Sequence, residues 1–273
     1  MSGKQNRSVM KWLRSRINRT ITDARRHDEY KAFFIKYGFV DDFAKLAEAV
    51  GPDRAEYVLV NFHAGKGQKC QDLFALAMTM GKRGGFFVEF GATDGVQYSN
   101  SFLLEDKYGW RGILAEPAPH WHNALKSNRR ALIDTRCVWS KSGETVEFLQ
   151  AAEPTHSGIR KHLEQPAKSD NQLGQPIEVT TVGLNDLLAE HGAPELIDYI
   201  SLDTEGSELE ILRAFDFSKH RFSVLTVEHN HRPERDGIRE LLESHGYRRL
   251  FDHISDYDDW YIHPEQVSFE PAI

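Results

Sequence analysis

From Gly84 onward the sequence alternates short apolar runs, each too short for a core helix, with stretches of helical periodicity. Phe86 to Phe90 is the first run, Gly112 to Glu116 the second and Ala131 to Val138 the third, followed by a polar-edged Thr145 to Leu149. Ile177 to Val182, Ile197 to Leu202 and Phe222 to Glu228 continue the series, and helices are expected near Asn100–Lys107, Pro119–Lys126, Leu184–His191, Ser207–Phe215 and Glu234–Ser244. Strands that return through helices form a mainly parallel sheet with both faces covered. The last two runs, Tyr247 to Phe251 and Trp260 to His263, are close enough in sequence to pair antiparallel. The expected fold is an α/β doubly wound sheet with an antiparallel C-terminal edge.

Upstream, Phe33, Phe34, Tyr37, Phe43, Leu46 and Val50 cluster at helical spacing, so residues 1–64 read as a helical N-terminal extension and residues 65–273 as one α/β domain. Residues 1–30 hold eight Lys or Arg against three Asp or Glu, with Met10, Leu13, Ile17 and Ile21 between them. Such a helix either meets an anionic membrane surface or a partner subunit, or packs on its own domain with its charges in water. The whole chain carries −7, which argues against nucleic acid as a partner. Two cysteines, Cys70 and Cys137, are too few for a disulfide scaffold. With no apolar run long enough for a signal core or a membrane span, the expectation is a cytoplasmic protein. Residues 151–176, rich in Pro, Ser, His, Gln and Lys, read as an irregular insertion, and Ser157-Gly158 within it either lid an acceptor or form a loop without a role. His156, His162, His191 and His253 stand alone and read as structural or exposed.

Ligands of a doubly wound sheet bind outside the carboxyl ends of its strands, so the residues that end strands are the candidates. After the first strand comes Glu89-Phe-Gly-Ala-Thr-Asp-Gly95, where Gly91 and Gly95 let the backbone turn close to a ligand. The loop lacks the Gly-x-Gly-x-x-Gly fingerprint, and Glu89 and Asp94 would repel a pyrophosphate while suiting an ammonium. Glu116 ends the second strand and is placed to accept hydrogen bonds from two ribose hydroxyls. An amino-acid loop beside a nucleoside carboxylate points to S-adenosylmethionine. Asp203 and Glu228-His229-Asn230-His231 end two adjacent strands, where Asp203, Glu228 and His229 or Asn230 are candidate ligands for Mg²⁺ or Mn²⁺. Without a metal, His229 with Asp203 would serve as general base. The sequence contains neither a Gly-x-Ser-x-Gly elbow nor a Gly-x-x-x-x-Gly-Lys-Ser/Thr phosphate loop.

Gly85-Phe-Phe-Val-Glu-Phe-Gly-Ala-Thr-Asp-Gly95, Ser99-Asn100, Leu104-Glu105, Trp110-Arg-Gly-Ile-Leu-Ala-Glu-Pro117 and Ile197-Asp-Tyr-Ile-Ser-Leu-Asp-Thr-Glu-Gly-Ser-Glu-Leu-Glu-Ile-Leu212 together resemble FkbM-type S-adenosylmethionine-dependent methyltransferases. Gln71-Asp72-Leu-Phe74 is similar to the segment leading into the family's first strand, and the resemblance spans roughly residues 65–263. It implies a seven-stranded Rossmann-like class I methyltransferase domain over residues 65–273, with its last strand antiparallel. It also implies an O-methyltransferase, with a sugar hydroxyl in a glycan, nucleotide sugar or glycosylated natural product as acceptor. By that resemblance Glu89, Gly91, Asp94 and Gly95 contact the methionine part, Asn100 belongs to the cofactor loop, Glu116 binds the ribose and Ser140 lies near the adenine. The alternatives are a methyltransferase for a non-sugar acceptor and a non-catalytic protein that keeps the fold for glycan or partner binding.

Overall fold

The computed structural model describes residues 41–150, 157–162 and 176–270. The basic stretch 1–30, the cluster Phe33, Phe34 and Tyr37, and most of the 151–176 insertion, with His156, lie outside the described residues. A seven-stranded sheet forms the centre, in the order β10-β11-β9-β8-β1-β2-β3. Its strands are β1 (Phe86–Phe90), β2 (Arg111–Ala115), β3 (Leu132–Asp134), β8 (Leu196–Leu202), β9 (Arg221–Glu228), β10 (Arg248–Leu250) and β11 (Asp258–Ile262). Every pair from β3 across to β9 is parallel, and β11 is antiparallel to both β9 and β10. The antiparallel strand is therefore not the edge. The last strand inserts between β9 and β10, and β10 takes the edge.

Alternate residues of each central strand enter opposite cores, as the two-residue period of a strand requires. Phe87, Leu114, Tyr199, Val224 and Trp260 face a core shared with residues 41–50, α1 (Pro52–Leu59), α2 (Gln71–Met78), α3 (Phe102–Tyr108) and α4 (His122–Asn128). Val88, Ile113, Ile200, Leu225 and Tyr261 face the other core, built with α5 (Leu184–Glu190), α6 (Glu208–Ala214) and α7 (Glu234–Ser244). Leu46, Val50 and Val58, from the stretch read as an extension, are buried in the first of these cores. Among the described residues no helix is long and apolar enough to cross a membrane.

The third apolar run departs from expectation. Ala131 to Val138 is not one strand: β3 ends at Asp134, and β4 (Cys137–Trp139) belongs to a second sheet of order β4-β7-β5-β6. The break has a local cause. The Asp134 carboxylate accepts from the Arg136 backbone N–H at 2.9 Å and from its guanidinium at 2.6 and 3.0 Å, which turns the chain between them. The second sheet comprises β4, β5 (Thr145–Leu149), β6 (Gly158–Ile159) and β7 (Pro176–Gly183), so part of the supposedly irregular insertion is ordered as a short strand. Cys137, Trp139, Phe148, Ile159 and Val179 form its small apolar core.

Between the end of β1 and the start of α3 the chain closes around Arg129, whose side chain has no solvent exposure. Its guanidinium donates to Glu105 at 2.9 Å, to the Gly95 carbonyl and Ser99 hydroxyl at 3.0 Å each, and to the Ser101 hydroxyl at 2.8 Å. Glu89 stands 3.7 Å away. Removing one partner of a buried, fully hydrogen-bonded charge network typically costs about 3–5 kcal/mol. Arg129→Met is expected to lose a stability of that order, read as a lowered urea midpoint. An unchanged midpoint would show that this network contributes little to the fold.

Candidate active site

The chain runs outward from β1 through β2 to β3, then returns to β8 on the other side of β1, so the strand order reverses between β1 and β8. Both strands deliver their carboxyl ends to one crevice. Gly91 leaves β1 with φ +72°, and a Cβ at that position would lie 2.7 Å from the Asp203 carbonyl oxygen. Only glycine admits both the left-handed backbone and the approach. The cavity here is lined by Gly91 and Thr93 from the first loop, Glu116, Asp203 with Glu205, and Glu228. From β2 to β9 is three strand spacings, about 14 Å.

Glu89 and Asn100 form the wall between these groups. Glu89 accepts from the Asn100 N–H at 2.6 Å and from the Ser99 hydroxyl at 3.0 Å, and it also accepts from the Ser101 hydroxyl. The Asn100 amide donates to Ser201 on β8 at 2.9 Å, which ties the loop across both strands. Asn100 is 7 % exposed and lines the cavity, yet its Oδ1 has no partner among the described residues.

Glu116, 3 % exposed, accepts from the Thr93 and Ala118 backbone N–H groups at 2.8 Å each, one on each oxygen. Burial pushes its carboxyl up to about 7 despite those two donors. Each oxygen keeps capacity for a further hydrogen bond.

Asp203, Glu205 and Glu228 bring their carboxylate oxygens within 4.8 Å of one another. Burial, followed by the neighbouring carboxylates, holds Asp203 and Glu228 well above the usual carboxylate range and raises Glu205 to about 7. The Asp203 carboxylate beside Glu228 opposes its ionisation. Glu205 reaches the cluster because it adopts φ +59°, which folds the turn back toward the strand end.

Several expected site residues lie elsewhere. His229 neither lines the cavity nor belongs to the group of Asp203, Glu205 and Glu228. Glu228 and His229 are consecutive at a strand end and point to opposite sides. His229 accepts from the His231 N–H at 3.0 Å, its Nε2 lies 3.7 Å from Asp259 on β11, and burial holds it below its usual range. Asp94 caps the turn by accepting from the Val96 and Gln97 N–H groups at 2.8 Å, and Gly95 packs toward Arg129; neither lines the cavity. Ser140 lies past β4 and does not line it either, whereas Cys137 and Val138 of β4 do. Thr93, Glu205, Cys137 and Val138 were missed by motif reading. The signal for Glu205 was present in Asp203-Thr204-Glu205, but only the turn geometry makes it converge.

A family model described as the methyltransferase FkbM domain matches residues 89–249, more than half of the chain. Solved structures with a similar fold include a precorrin-6y C5,15-methyltransferase from Geobacter metallireducens GS-15, at 12% identity over 70% of this chain and 85% of that one, with a TM-score of 0.39. A SAM-dependent methyltransferase from Aquifex aeolicus is similar at 9% identity over 81% and 98%, with a TM-score of 0.32. None of the curated proteins matches this sequence.

The raised Glu116 carboxyl fixes the sign of a pH effect. Its folded state binds the proton more tightly than the unfolded chain, so the stabilisation is complete below the ordinary Glu range near 4.5 and is lost as pH rises to about 7. Across that window the effect is on the order of 3 kcal/mol. Urea midpoints measured from pH 4.5 to pH 8 are expected to fall, and Glu116→Gln to flatten the slope. An equally steep slope in the variant would place the titration on other groups.

Proposed function

The chain belongs to the FkbM methyltransferase family, and from that premise we propose that it is an S-adenosylmethionine-dependent O-methyltransferase acting on a sugar hydroxyl. The observation that carries this reading is one cavity joining Glu116, Asn100, Asp203 and Glu228 at the ends of the central strands. Its described lining includes five carboxylates and no Lys or Arg. That donor set fits a cationic cofactor. Bound there, S-adenosylmethionine would supply a methyl group already activated by positive sulfur.

Glu116 would hold the two ribose hydroxyls, and Gly91 would let the backbone pass close beneath the cofactor. The acceptor hydroxyl must lose its proton as its oxygen forms the new bond to carbon. Asp203, whose side chain lines the same cavity, takes that proton. The products are a methyl ether and S-adenosylhomocysteine, with the proton on the Asp203–Glu228 pair. Orienting the hydroxyl in line with the methyl contributes about 7–11 kcal/mol where alignment is complete. An acidic lining also disfavours anionic acceptors, so a neutral or amino sugar is the better substrate class than a nucleotide sugar.

A metal-assisted variant of this chemistry is favoured by the clustering of Asp203, Glu205 and Glu228. Their three oxygen donors suit Mg²⁺ or Mn²⁺, which would orient the hydroxyl and lower its pKa.

Calorimetric titration with S-adenosylhomocysteine tests the cofactor site. Binding is expected in the wild type and is expected to vanish in Glu116→Ala and Gly91→Ala. Wild-type protein that fails to bind would sink the methyltransferase reading. Asp203→Asn is expected to keep that affinity while turnover drops about 10²–10⁴-fold, the range for loss of a general base. Equal loss of both would remove Asp203 from the base role. Chelator-treated protein separates the two variants: with a metal, turnover returns on adding Mg²⁺ or Mn²⁺, and without one it never falls. An acceptor screen favouring nucleotide sugars over neutral and amino sugars would contradict the substrate class.

A further inference from the structure

We propose that Arg232 is a positioning residue that clasps the small sheet onto the catalytic loop and so closes one side of the cavity. Its Nη1 donates to the His162 carbonyl at 2.8 Å and to the Glu205 carbonyl at 3.1 Å. His162 follows β6, whose Ile159, like the adjoining Ser157, lines the cavity; Glu205 belongs to the loop that carries Asp203. One nitrogen thus bridges two walls that come from different sheets.

The sequence makes room for this bridge. A Cβ on Gly206 would lie 1.8 Å from Arg232 Nη1, so any side chain there would push the guanidinium out. Gly206 also has φ +113°, which L side chains rarely adopt. The segment is also tied by the Arg160 N–H to the Glu147 carbonyl at 3.0 Å and by Trp139, against which Lys161 and His162 pack. β6 has two residues paired with β5, and the Arg160–Glu147 and Lys161–Glu210 ion pairs are exposed. Asn230, two residues before Arg232, holds the Glu205 carboxylate at 3.4 Å, so the turn after β9 grips Glu205 at backbone and side chain together. Arg232's charge also opposes the effect of burial on Glu205.

Cys137 offers a readout that needs no acceptor. It lines the cavity, is 6 % exposed, and packs with Phe148 and Ile159 under the clasped segment. Cys70, fully buried in the opposite core, is the internal control. Full-length protein is treated with an aromatic disulfide reagent, and labelling of each cysteine is followed by peptide mapping. Arg232→Ala is expected to speed Cys137 labelling at least about tenfold, the scale of a local opening, without changing Cys70. Gly206→Ala, which displaces the same guanidinium, is expected to match it, and the double variant to exceed neither. Arg232→Lys, which keeps the charge on a shorter stem, is expected to fall between wild type and Arg232→Ala.

Cys137 labelling at the wild-type rate in a folded Arg232→Ala protein overturns the proposal. So do additive effects of the two substitutions, or parallel acceleration of Cys70, which would report global loosening. The importance of this wall for methyl transfer rests on the proposed function, but the labelling does not. Wild-type protein that fails to bind S-adenosylhomocysteine would defeat that reading and leave the clasp to be decided by Cys137 alone.

Discussion

Burying Arg129 with no exposure would be prohibitive if its charge were not met, and the residues that meet it are those that shape the crevice. Glu105 neutralises it from α3, the Gly95 carbonyl and the Ser99 and Ser101 hydroxyls take three more of its donors, and Glu89 lies just beyond. Glu89 in turn accepts from residues 99–101, so the guanidinium fixes the loop and the loop fixes Asn100 against β8. The cavity wall is therefore set by a cation that arrives from the end of α4, outside the cavity it organises.

The two sheets divide the work. The large sheet supplies the strand ends and, through the reversal between β1 and β8, the crevice itself. The small sheet supplies Cys137, Val138, Phe148 and Ile159, the apolar part of the lining. The split at Asp134–Arg136 makes this division possible, because it lets the chain leave the large sheet after three residues and begin another.

Much of this was legible in the sequence, and the failures share a cause. The strands, the parallel order and the strand-ending Glu116, Asp203 and Glu228 follow from periodicity and from the rule that parallel strands present their carboxyl ends together. What periodicity does not carry is the path of the chain once a strand has ended. His229 was placed in the cavity although the side chain next to Glu228 must point away, and positive φ at Asn230 and His231 then carries the chain toward Arg232. Glu205 needed a left-handed turn to converge. Asp94 shows a different ambiguity: an acid after a glycine turn has the same signature whether it meets a ligand or, as here, caps its own turn. Ser140 is a site candidate through the family resemblance alone, and the break in the third run brings Cys137 and Val138 to the cavity.

The charge pattern gives these pieces a common logic. Arg129 is taken up by Glu105 and Glu89, and Arg232 gives its Nη1 hydrogen bonds to carbonyls, so Asp203, Glu205 and Glu228 face the cavity without a lining cation. At an effective dielectric near 20, a unit charge 4 Å from one ionised carboxylate gains about 4 kcal/mol before screening. Attraction of that kind binds a cationic methyl donor, but by itself it holds the ground state and does not speed the reaction. On the proposed reading, the balance is restored at the acid pair. As the positive charge at sulfur disappears, Asp203 gains the proton of the acceptor hydroxyl, so the net charge inside the cavity does not change during the transfer.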